Sequence, residues 1–210
     1  MTKLYACPGS GNCFKPWLAL NQLGKPFEMA MVDVLAGEQK SEWFMKINPD
    51  GVVPYLVTGS GEGLGESNAM LWHIAEDSFL MPQSSYGRAR ALQWMFFEQS
   101  KLEPFISPAR FFTTILPAEK EKRRKDIEGW QNAARPGLDR LETHLAAHQF
   151  MLGDAYSVAD IALFGYVHVT DEAGISLDSY PSVQRWIGDV SNTPGFRPLS
   201  ELGLSADRAA

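Results

Sequence analysis

Cysteine is scarce in this chain, with two in 210 residues, Cys7 and Cys13. Six positions apart, they lack the C-x-x-C redox spacing, and they are too few for a metal cage or a disulfide framework, so both are expected as reduced thiols. Positive charge is also short. The balance of 19 Lys and Arg against 25 Asp and Glu leaves a net charge of -6. That excludes nucleic acid as the main partner, because neutralising phosphates needs a basic surface. No apolar run approaches the roughly 18 to 20 residues that span a bilayer. The start, MTKLYACPGSG, has neither the charged stretch nor the apolar core of a secretion signal. A cytoplasmic protein with no membrane partner is the expectation.

What the chain does contain is two different rhythms. KLYA at 3–6 reads as a strand and CPGSGN as a break; Phe14, Trp17, Leu18 and Leu23 then fall near helical spacing, closed by Gly24. FEMAMVDV, 27–34, reads as a second strand, QKSEWFMKI, 39–47, as a short helix, and PYLV, 54–57, as a third strand. TGSGEG then turns into a fourth strand near Leu64, and SNAMLWHIAED supplies a helix. The order is β-α-β-α-β-β-α.

After FLMPQSSYG, which has a linker's composition, only helical patterns remain. Residues 88–102 place Leu92, Met95, Phe96 and Leu102 on one side, and 136–149 place Leu138, Leu141 and Leu145. At Ser157 the run SVAD is a capping box, with Asp160 three positions on and Tyr156 and Ile161 placed as a hydrophobic staple. The box accounts for Asp160 without a catalytic role. His144 and His148 have the i, i+4 spacing of a zinc pair, but Leu145 stands where H-E-x-x-H needs its glutamate, so no metal is expected. KEKRRK, 120–125, reads as a solvated helix face.

Four motifs then occur in a telling order: SGNC at 10–13, INPDGVVPYL at 47–56, ESNAM at 66–70 and LGDAYSVADIALF at 152–164. With the β-α-β-α-β-β-α half and the helical half, they make the chain resemble the cytosolic glutathione S-transferase family, in its bacterial-type, serine- or asparagine-using branch. The resemblance implies an α/β plus all-α architecture, with a thioredoxin-like glutathione-binding domain over 1–80 and an all-helical bundle over 87–205 that contributes the electrophile pocket. It also implies a homodimer, glutathione as co-substrate and a cis bond at Val53-Pro54.

In that frame NPDGVVP is a docking edge, where the Val53 backbone N–H and C=O pair with a peptide as an added strand. Ser67, read as an N-cap, opens a helix whose free N–H groups suit the γ-glutamyl carboxylate, while Glu66 balances the ammonium. Gln39 falls where related proteins place a ligand-contacting glutamine. A free thiol is only about 3% ionised at neutral pH, so the site must stabilise a thiolate. Ser10 is the first candidate donor, Asn12 the second. Cys13 is the candidate for a mixed disulfide with glutathione. Tyr5, on the preceding strand, is the last candidate, by resemblance to the tyrosine-using branches. Phe97, Arg110 and Phe111 are the candidates for a wall around a small apolar electrophile.

Two departures stand out. Val52 occupies a place where family members often carry Lys or Arg, with Gln39 or Lys40 left to compensate, and Pro16 interrupts the first helix near its start. The expected activity is addition of glutathione to an apolar electrophile. The rivals are glutathione-dependent disulfide reduction and a non-catalytic glutathione-binding protein on the same fold.

Overall fold

Strand β1, Thr2–Ala6, is followed by helix α1, Gly11–Gln22, strand β2, Phe27–Met31, and helix α2, Glu42–Ile47. Strands β3, Tyr55–Val57, and β4, Gly63–Leu64, lead into helix α3, Ser67–Ala75. The sheet order is β2-β1-β3-β4, with β1 parallel to β2 and antiparallel to β3. Because side chains alternate along β1, Leu4 and Ala6 point to one face and Tyr5 to the other. All three are buried, so both faces are covered. Tyr5 packs with Val32 and Phe44, its ring edge-on to Phe44 at 5.8 Å, which commits it to the core.

Local chemistry sets the ends of α1. Ser10, in extended geometry, caps its start. At its end Gly24, at φ 59°, lets the Lys25 N–H reach the Leu20 carbonyl and its own N–H the Asn21 carbonyl. This is a Schellman closure, and the following Pro26 prevents continuation. Pro16 lies inside the helix and removes the donor that would have bonded the Asn12 carbonyl.

The structure, a computed structural model, describes residues 1–203 and divides them into two units. The first is Met1–Ser78 together with the stretch that starts at Pro194; the second is Phe79–Thr193. Residues 194–203 fall inside the span expected for the helical domain, yet they group with the first unit. Phe196 meets Phe14 at 6.4 Å and the Arg197 guanidinium lies 5.1 Å over Trp17. Residues 204 and 205 of that expected span lie outside the described residues.

The second unit holds α4, Ser85–Lys101, α5, Glu103–Arg110, α6, Arg124–Leu145, α7, Val158–Val167, and α8, Pro181–Ser191. Two expectations are corrected here. The inward stripe of α4 is Ala91, Trp94, Met95, Phe97 and Glu98, while Leu92 and Phe96 are 36% and 70% exposed. Both sides of the helix carry an aromatic, and the interior goes to Trp94 and Phe97, which pack edge-on at 5.4 Å with the Arg140 guanidinium over both rings. The helix expected over 136–149 starts twelve residues earlier, at Arg124. Ion pairs from Arg124 to Glu128 and from Arg123 to Asp126 support its exposed first turns. No helix of the described residues is long and apolar enough to cross a membrane.

The capping box forms, and it does more than cap. Asp160 accepts from the Ser157 N–H and hydroxyl through Oδ2, and from the Met151 N–H and the Trp186 indole through Oδ1. This ties α7 to α8 and to the preceding loop. Burial pushes the Asp160 carboxyl up to about 6 against these donors. The folded value lies above the unfolded value of about 3.9, so the folded chain holds the proton more tightly in between. Stability from this group is therefore greatest below about pH 4 and falls by up to about 3 kcal/mol as pH rises to about 6. Urea unfolding across that window should show a decline in the wild type that Asp160→Asn lacks. Equal slopes for the two proteins would contradict it.

Candidate functional site

The turn PGSGN folds the chain sharply between β1 and α1, and Ser10 sits where the helix begins. Its Oγ accepts the Cys13 N–H at 3.2 Å. A hydroxyl that accepts one bond still carries a proton to donate. The Cys7 thiol is lowered first by the Cys13 hydrogen bond and, to a smaller extent, by the Ser10 hydroxyl. Cys13 is fully buried, its sulfur 4.0 Å from that of Cys7. Burial pushes the Cys13 thiol well up, whereas the hydrogen bond from Cys13 draws the half-buried Cys7 down.

Asn12 leads to the second helix start. Its Oδ1 accepts from the Ser67 hydroxyl at 3.1 Å, and the Ser67 Oγ lies 3.5 Å from the Lys15 ammonium. The sequence predicts Ser67 as the N-cap of α3; instead Glu66 holds that place and Ser67 is the first helical residue. The reason is tertiary. Ser67 is buried, and its hydroxyl is directed to Asn12 rather than back to its own helix. α1 and α3 pack side by side, so their N-termini and a buried lysine share one corner of the fold.

Glu66 is exposed and held at φ 59° and ψ 113°. A non-glycine residue there costs about 1–3 kcal/mol and persists only because its surroundings impose it, and such residues cluster at ligand sites.

The edge before β3 is built by Asn48. Its buried side chain donates to the Val52 carbonyl at 2.8 Å and accepts the Asp50 N–H at 3.1 Å, clamping the NPDGV turn. Gly51, at φ 60°, is required twice over. A Cβ there would lie 2.9 Å from the Gln39 carbonyl and 2.7 Å from the Met45 sulfur. The Lys40 ammonium bonds the Asp50 carbonyl at 3.1 Å. The Gln39 Oε1 is buried without a hydrogen-bond partner among the described residues. Val52 is 52% exposed, and the Val53-Pro54 bond is cis. Val53 itself, half-buried, uses neither its N–H nor its C=O in a hydrogen bond among the described residues.

In the second unit, Phe97 is buried between Trp94, 5.4 Å away, and the Arg140 guanidinium, 4.7 Å from its ring. Arg110 is buried and ion-paired with Glu172 at 2.8 Å. Phe111 opens the π-helical turn Phe111–Ile115, half-buried, with its ring edge-on to Phe112. Arg110 thus meets its charge inside its own unit.

Residues 4–80 match the family of the glutathione S-transferase N-terminal domain, and residues 124–189 that of the C-terminal domain. A crystal structure of a glutathione S-transferase from Pseudomonas fluorescens is 39% identical with a TM-score of 0.91, covering 94% of this chain and 98% of that one. The chain belongs to the glutathione S-transferase family.

Glutathione S-transferase D6 of Drosophila melanogaster is 29% identical over 198 residues, 92% of this chain and 89% of its own. A glutathione transferase from Burkholderia graminis, whose crystal structure has two glutathione molecules bound per subunit, is 29% identical. Its TM-score is 0.82, with 100% of this chain and 89% of that one covered. Within this glutathione S-transferase, Lys15 and Cys7 lie outside the sequence motifs, and Asn48 lies inside one without being assigned a role by it. Lys15 stands between Phe14 and Trp17, where helical spacing offers no hint that a cation is buried. Asn48 does carry a usable signal, because Asn-Pro-Asp-Gly is turn chemistry in which the asparagine bonds its own backbone.

Proposed function

We propose that the chain is a cytoplasmic, homodimeric glutathione transferase of the serine- or asparagine-using branch that adds the glutathione thiolate to a small apolar electrophile. The observation that carries the reading is the Asn12–Ser67 hydrogen bond at 3.1 Å, which joins the start of α1 to the start of α3. Glutathione then has a use for each feature of the first unit. Its backbone pairs with the Val53 N–H and C=O, beside Pro54. Its γ-glutamyl carboxylate takes the α3 N-terminus at Ser67, with the Lys15 charge behind it. Its ammonium meets Glu66, and the Gln39 amide turns to the glycyl end.

The sulfur then lies at the beginning of α1, where Ser10 donates to it as thiolate and Asn12 supports the helix start. Conjugation needs the nucleophile ionised and held close, which is what hydroxyl donation and a positioned ligand supply. In the second unit we assign Phe111 to apolar contact with the electrophile, with Phe97 and Arg110 shaping the wall around it. The Burkholderia graminis relative with bound glutathione supports the choice of co-substrate.

Glu66→Ala tests the head-group assignment. Loss of a charge-assisted hydrogen bond, worth about 1.5–3 kcal/mol, should weaken glutathione binding about 10- to 100-fold while the fold is retained. Isothermal titration calorimetry, paired with circular dichroism, reads both. An unchanged dissociation constant would remove Glu66 from the site.

A further inference from the structure

We propose that Cys7 and Cys13 form a redox-active dithiol, in which Cys7 attacks a low-molecular-weight disulfide and Cys13 resolves the adduct into an intramolecular disulfide. The turn PGSGN carries the proposal, since it folds Cys7 back over the first turn of α1. The two sulfurs are 4.0 Å apart, and the Cys7 N–H points at the Cys13 sulfur at 3.4 Å. Spacing in sequence hides this pair, because five intervening residues resemble no redox motif until Gly9, at φ 70°, turns the loop.

The two thiols have unequal roles. Cys7 is half-buried and lies in the loop between β1 and α1, while Cys13 is fully buried in the helix. An incoming disulfide can reach Cys7 only. The hydrogen bond from Cys13 favours the Cys7 thiolate, which is the attacking form. Attack on glutathione disulfide breaks its S–S bond, forms a Cys7–glutathione mixed disulfide and releases one glutathione thiolate, which takes up a proton from solvent. The Cys13 sulfur then attacks the Cys7 sulfur and expels the second glutathione, which leaves with the Cys13 proton. The sum is one dithiol oxidised, one glutathione disulfide reduced and two glutathione molecules released. Bond formation requires the sulfurs to approach from 4.0 Å to about 2 Å. The loop residue is the one free to move, since Cys13 is held by its helix and by its N–H bond to Ser10. The inference stands on the thiol pair and does not need the conjugation site.

Reduced full-length protein is incubated with glutathione disulfide, quenched in acid, alkylated, and weighed intact before peptide mapping. The wild type should lose two hydrogen atoms of mass, release two glutathione molecules per chain and resist alkylation at both cysteines. Cys13→Ala should stop at one glutathionyl group on Cys7, and Cys7→Ser should leave Cys13 unmodified. The wild-type measurement stands even if a variant fails to fold. Two alkylatable thiols after incubation, a lasting glutathionyl group on the wild type, or modification of Cys13 in Cys7→Ser would each overturn the proposal.

Discussion

Replacing Ser10 with alanine should lower the kcat/KM of glutathione conjugation about a hundredfold, the usual cost of removing one donor from a developing or resident anion. The same substitution removes the N-cap of α1, in which the Ser10 Oγ accepts the Cys13 N–H. Loss of that cap costs about 1 kcal/mol, small against the roughly 5–15 kcal/mol that holds a typical domain together. The variant should therefore fold and bind glutathione while turning over poorly. Its pH profile separates the two roles. If Ser10 stabilises the thiolate, the rising limb of kcat/KM moves to higher pH in Ser10→Ala and returns towards the wild-type position in Ser10→Thr. A purely structural Ser10 would instead reduce stability in both assays and leave the pH profile in place. A wild-type rate in Ser10→Ala passes the donor role to Asn12.

Asp160→Ala should lower the stability of the second unit by about 3–5 kcal/mol. The carboxylate accepts from the Ser157 N–H and hydroxyl, the Met151 N–H and the Trp186 indole, all buried. Truncation orphans these donors and opens a void beside Trp186, itself fully buried. Thermal and urea unfolding measure the effect. A loss below about 1 kcal/mol would mean that the donors find new partners. Glutathione affinity serves as the control, since every group assigned to that ligand lies in the first unit.

The legible parts of the fold are those in which local chemistry agrees with tertiary demand. The β-α-β-α-β-β-α order can be read from turn residues and alternation, and the SVAD box from its spacing, because both signals are contained within a few residues. Ser67 shows the opposite case. Its type and position suit a cap, and only the packing of α3 against α1 directs its hydroxyl to Asn12 instead. Lys15 is hidden for a similar reason, since burial of a cation depends on what the fold brings to it. The inward face of α4 is misleading at Leu92 and Phe96 because apolar residues run along two sides of that helix, and the interior goes to Trp94 and Phe97, which pack on each other and on Arg140. Of the candidate site, the motif positions are readable, whereas the corner they build is not. Residues 10–15 and 66–67 are distant in sequence and meet only because α1 and α3 pack side by side.

Glutathione should lie extended along Val53 with its sulfur over the first turn of α1, and a crystal structure of the chain with glutathione tests this directly. The expected result is paired hydrogen bonds between the cysteinyl backbone of the ligand and the Val53 N–H and C=O, the γ-glutamyl group at Glu66 and Ser67, and the sulfur within hydrogen-bonding distance of the Ser10 Oγ. Glutathione bound elsewhere, or bound at this edge with its sulfur directed away from Ser10, would contradict the assignment.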